Sequence, residues 1–115
     1  MNQSQNKLLN QEAQKWIDKL RLEPQPEGGY FRETYTSPGV TYSKSGQNRN
    51  QDARPLTTSI YFLIQAGQIS KLHRLRSDEI WCFHYGQSLR IIMIHPEGKL
   101  EEKILGSNIQ NNEHL

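Results

Sequence analysis

The sequence predicts an all-β domain, an antiparallel sandwich or barrel carrying one short N-terminal helix. Three observations predict it. Short runs rich in aromatic and β-branched residues recur between tight-turn signals, the pattern of such folds. Apolar residues are concentrated in the middle of the chain: positions 56–94 hold 20 in 39, against 19 in the other 76. Helical spacing occurs once, from Gln11 to Leu22, where Ala13, Trp16, Ile17 and Leu20 stand three or four residues apart. At 115 residues the chain has room for one domain with one core.

Each element follows in order. Met1–Asn10 is polar and reads as a frayed leader, so the domain proper is set at residues 11–106. The helix ends at Pro24 and Pro26, and Glu27-Gly28-Gly29 supplies a turn, because glycine takes positive φ without a Cβ penalty. Tyr30–Thr36 has three aromatics with threonine, a strand composition. Residues 37–55 read as a long mobile loop or a poorly ordered hairpin. Thr57–Gln65 is a nearly continuous apolar run, which fits a strand covered on both faces. Further strands are expected over Ile69–Leu75, Glu79–Tyr85, Leu89–Ile94 and Lys99–Leu105. His95-Pro96-Glu97-Gly98 is a type I turn signal between the last two. Residues 107–115 are a polar tail.

Composition excludes several classes. Fourteen basic and twelve acidic residues give a net charge of +2, and acids follow Arg74 and Arg76 at once. A nucleic-acid reader needs a basic stripe free of acids, so no nucleic-acid partner is expected. No window approaches the roughly 20 apolar residues of a membrane span, and Met1–Asn10 lacks the apolar stretch of a secretory signal. The single Cys82 excludes an intramolecular disulfide and a thiolate-only zinc site. A cytoplasmic protein is expected.

A chemically loaded segment lies at residues 67–86. Gly67, five residues, His73, one residue, Leu75, three residues, Glu79, six residues and Gly86 reproduce the spacing of the first cupin motif, with Leu75 where a second histidine is usual. More narrowly, PEGGYFRETYTS (26–37), TTSIYFLI (57–64) and HRLRSDEIWCFHYG (73–86) resemble the cupin 5 or DUF985 family over residues 11–106. The resemblance implies a cupin barrel, a double-stranded β-helix or jelly roll related to RmlC-like proteins. It also implies that His73 and Glu79 face its interior.

Strand alternation puts His73 and Leu75 on one face, and Glu79, Trp81, Phe83 and Tyr85 on one face of the next strand. An imidazole and a carboxylate beside aromatic walls can bind a polar molecule or shuttle a proton. His73 and Glu79 are the candidate catalytic residues, and Tyr30, Arg32, Glu33, His73, Glu79 and Trp81 the candidate ligand-binding set. The Tyr30–Tyr35 strand offers either Tyr30, Arg32 and Thr34 or Phe31, Glu33 and Tyr35 to the cavity. No cofactor is expected. Leucine cannot ligate, and the second histidine motif of metal-bearing relatives is missing, so His73 and Glu79 are weak candidates for a divalent metal. Cys82 is expected to be a small buried hydrophobe.

Three readings follow from the resemblance. The leading one is a small polar molecule bound in the barrel. The second is a metal-independent sugar epimerase or isomerase with His73 as base, Glu79 orienting it, and Tyr30 or Tyr85 as acid. The third is a non-catalytic module whose barrel is closed by a partner, most simply as a homodimer. The family's closing strands are expected to be lacking after Gly106, which predicts low stability or aggregation if the chain is whole.

Overall fold

A computed structural model describes residues 2–42 and 53–115. The chain divides into two compact units, Met1–Arg74 and Leu75–Leu115.

The first unit opens with helix α1, Gln3–Leu20. The supposed leader is therefore helical, for two local reasons. Asn2 and Gln5 form a capping box, with Asn2 Oδ1 accepting from the Gln5 amide at 2.9 Å and Gln5 Oε1 from the Asn2 amide at 3.3 Å. The apolar spacing also starts earlier, at Leu9, and continues through Ala13, Ile17 and Leu20. Arg21 ends the helix in the left-handed region, at φ 53°. Its amide donates to Asp18 O and that of Leu22 to Ile17 O, which satisfies carbonyls of the last turn. Ile17 and Leu22 are buried.

Strands β1 (Glu23–Pro24), β2 (Tyr30–Thr36) and β5 (Thr58–Leu63) make an antiparallel sheet in the order β1-β2-β5. Between β1 and β2 the chain turns through Gly28 (φ +119°) and Gly29 (φ +82°). A Cβ on Gly28 would lie 2.1 Å from the Ile69 carbonyl oxygen, so only glycine fits there. β3 (Val40–Tyr42) pairs antiparallel with β4 (Ala53–Pro55), and the part of the expected loop or hairpin at 43–52 lies outside the described residues.

In the second unit β6 (Leu89–Ile94) pairs antiparallel with β7 (Leu100–Leu105). The intervening turn closes as expected, with Gly98 N donating to His95 O at 2.8 Å and Gly98 at φ +87°. The tail folds back on β7. Gly106 N donates to His114 O at 2.7 Å and His114 N to Ile104 O at 2.8 Å, around a 3-10 turn at Ile109–Asn111.

Two strand expectations fail. Segments 69–75 and 79–85 join no ladder among the described residues. A strand is stabilised by a row of interstrand bonds, and segment 69–75 has one backbone tether, Lys71 N to Glu27 O at 2.8 Å. The expected double cover of β5 is also absent, since Ile60 is 45% and Tyr61 43% exposed. Among the described residues, no helix is long and apolar enough to cross a membrane.

Candidate functional site

His73 sits at the end of the segment that runs past the Gly28-Gly29 turn. The Lys71–Glu27 bond fixes this segment two residues before the histidine. The His73 ring then returns to its own backbone, with Nδ1 2.7 Å from the Lys71 carbonyl oxygen. A carbonyl only accepts, so Nδ1 carries the proton and Nε2 of the neutral ring is left as an acceptor or base. The side chain is exposed.

The register of β2 on β5 sorts the other candidates of the first unit. Tyr30 and Arg32 stand opposite Leu63 and Tyr61, whereas Phe31 and Glu33 stand opposite Phe62 and Ile60 on the other face. Arg32 Nη1 donates to the Leu20 carbonyl at 3.0 Å. Its face of the sheet therefore carries the C-terminal end of α1, where a cation also meets the negative pole of the helix. Tyr30, Arg32 and Glu33 thus do not share one face. A bulge at Thr34 corrects the parity beyond it: Tyr35 opposes Ser59, on the Arg32 face, and Thr36 opposes Thr58, on the Glu33 face. Thr36 Oγ1 accordingly donates to Glu33 Oε1, and Thr34 Oγ1 to Ser59 Oγ at 3.1 Å.

In the second unit the indole nitrogen of Trp81 donates to Glu79 Oε2 at 3.1 Å. That bond orients the carboxylate while leaving its second oxygen to accept another donor. Glu79 is exposed and Trp81 half-buried. Cys82 is exposed, not buried as expected. Because no ladder holds 79–85, alternate side chains there are not forced into a covered face.

Two contacts escaped sequence reasoning. His95, assigned only a turn role, places Nε2 2.7 Å from Glu101 Oε2, with Lys103 Nζ 3.4 Å from the other oxygen. The hydrogen bond from His95, then that from Lys103, lowers the Glu101 pKa below the usual carboxylate value. The hairpin turn was readable, but the diagonal reach across it was not. Ser88 Oγ lies 2.5 and 2.8 Å from the two Glu113 oxygens, 25 residues away.

Comparison with known proteins gives the family of the chain. The profile of the Cupin superfamily (DUF985) matches residues 14–115. The chain is a cupin of the DUF985 family. Two solved structures are similar to it. One, from Shewanella oneidensis, is 42% identical with a TM-score of 0.74, over 89% of this chain and 59% of its own. The other, a hypothetical protein from Leishmania major, is 32% identical with a TM-score of 0.74, over 88% of this chain and 60% of its own. The cupin chain described here therefore spans about three-fifths of the length of these relatives. No curated protein matches it.

Leu75 offers no lone pair at the usual second-histidine position, and the His73 Nδ1 and Glu79 Oε2 atoms already have protein partners. Among the described residues, no three or more His, Cys, Asp or Glu side chains are grouped as a metal site, and a tight site needs three or four protein ligands.

Proposed function

We propose that this cupin binds a small polar molecule without a metal ion, and that His73 is among the groups that contact it. The observation that carries the reading is the His73 ring. One nitrogen is anchored on the Lys71 carbonyl and the other is left to accept a ligand hydroxyl or amide proton. Within the second unit, Glu79, oriented by the Trp81 indole, is a separate acceptor with an aromatic surface of its own. On the sheet, Glu33 and Phe31 offer a carboxylate and a ring on the face away from α1. Arg32 and Tyr30 act from the opposite face, with Arg32 holding the helix end.

Native mass spectrometry of protein purified without exhaustive dialysis tests this reading. The expected result is a bound small molecule in the wild type that is lost in His73→Ala at unchanged melting temperature. A co-purifying mass retained in His73→Ala, or none in the wild type, would sink the reading.

The open His73 Nε2 also favours a second reading, in which it is the base of a sugar epimerase or isomerase-like reaction. Steady turnover of a deoxy-ketosugar nucleotide, absent in His73→Ala, is its expected signature. No turnover across a sugar-nucleotide panel, with ligand binding intact, removes it. The exposure of Ile60 and Tyr61 on both faces of β5 favours a homodimer as the working form. A monomer in sedimentation at micromolar concentration contradicts that.

A further inference from the structure

The first two-thirds of α1 borders an open cleft of about 580 Å³ that the site above does not use. Gln3, Asn6, Lys7, Asn10 and Gln14 recur along one helix face, and Gln65, just past β5, completes the lining. The profile match begins at residue 14, so most of this lining lies outside the part of the chain that the family describes.

The chemistry of the cleft is specific. Its lining is almost wholly carboxamide, with the Lys7 ammonium as the charged group and no carboxylate. A carboxamide offers both a donor and an acceptor, which matches the double character of a hydroxyl group. Gln14 already donates to Asp18 Oδ1 at 2.9 Å, which leaves its carbonyl oxygen. Asn10 Oδ1 is shut from solvent with no hydrogen-bond partner. An unmet buried acceptor is destabilising. With Oδ1 shut off, the polar atom that Asn10 can offer a ligand in the cleft is Nδ2, a donor to a hydroxyl oxygen. One ammonium balances one negative charge, the charge of a carboxylate rather than of a phosphate dianion.

We propose that this cleft is a binding site for a polyhydroxylated monocarboxylate, a molecule of the sugar-acid class, with Lys7 on the carboxylate and the carboxamides of Asn10, Gln14 and Gln65 on the hydroxyls. The proposal is independent of the His73 reading and involves none of its residues.

Amide chemical-shift titration tests it residue by residue, with gluconate as the anionic probe and glucitol as the uncharged polyol of equal length. Gluconate is expected to shift amides within residues 3–14 and at Gln65, and to leave those of His73 and Trp81 unmoved. An exposed ion pair contributes about 0.2–1 kcal/mol, so gluconate should bind about 1.4- to fivefold tighter than glucitol. Lys7→Gln should erase that difference. Asn10→Leu should lose binding of both probes while its melting temperature stays equal or rises, because the variant removes an unmet polar group. Absence of shifts at the cleft, a preference that survives Lys7→Gln, or undiminished binding to Asn10→Leu overturns the proposal. Shifts at His73 alone would support the cupin site and refute this one.

Discussion

At the scale of single residues, the most consequential side chain is Arg32. The sequence places it in the candidate ligand-binding set, and its observed partner is the Leu20 carbonyl at 3.0 Å. The sequence shows that Arg32 and Glu33 must point to opposite faces, because strand alternation is a backbone property. It does not show which face carries the helix, because that depends on a contact twelve residues away. Arg32→Met should destabilise the chain by about 1 kcal/mol in denaturant titration, the worth of one charge-assisted bond to a helix end. Glu101 gives a pH test. Its pKa is depressed, so the stability it contributes is present above the ordinary glutamate value of about 4.3 and lost as pH falls through the lower folded value. Glu101→Gln should therefore lower the melting temperature at pH 7, and the gap to the wild type should close in acid. A gap that persists at pH 2 contradicts the assignment.

At the scale of elements, strands were legible where the partner is near and obscure where it is not. Tyr30–Thr36 and Leu89–Ile94 fall where their composition places them, since each pairs with a strand of matching pattern. Segments 69–75 and 79–85 have equally apolar compositions but no ladder among the described residues, and composition carries no information about a missing neighbour. The bulge at Thr34 is likewise silent in the sequence, and it moves Tyr35 to the face opposite the one simple alternation assigns. The Gly28-Gly29 turn was legible for a firm reason, because paired glycines announce a backbone that side chains would obstruct. Gly28→Ala should push the Ile69 carbonyl away and cost about 1–3 kcal/mol, from the close approach and the positive φ together. Hydrogen exchange would report it locally: the Lys71 amide, bonded to Glu27 O in the wild type, should lose its protection first. Unchanged Lys71 protection in Gly28→Ala would show that the turn does not hold this segment.

At the scale of the whole molecule, the apolar middle of the chain is poorly covered. Ile17, Leu22 and Leu105 are the buried hydrophobics among the described residues, whereas Ile80 is 91% and Ile92 48% exposed. Burial contributes roughly 25 cal/mol per Å² of apolar surface, so side chains left in water add little stability and invite association. A low, broad thermal transition with strong binding of a hydrophobic dye is expected. A sharp cooperative melt with monodisperse light scattering contradicts it. The family was legible because its motifs are contiguous in sequence. The candidate residues were legible as residue types, but the partners of His73 and Glu79, Lys71 O and the Trp81 indole, depend on local backbone path.

The contact between Arg32 and Leu20 also sets how the helix melts. One end of α1 is bolted to the sheet through a side chain of β2, while the other is held by a capping box made within its own first turn. Helix–coil equilibria propagate from the less anchored end. The helix should unzip from Asn2 toward Ile17, with amide protection rising turn by turn along it, and its last turn should open only when the sheet does.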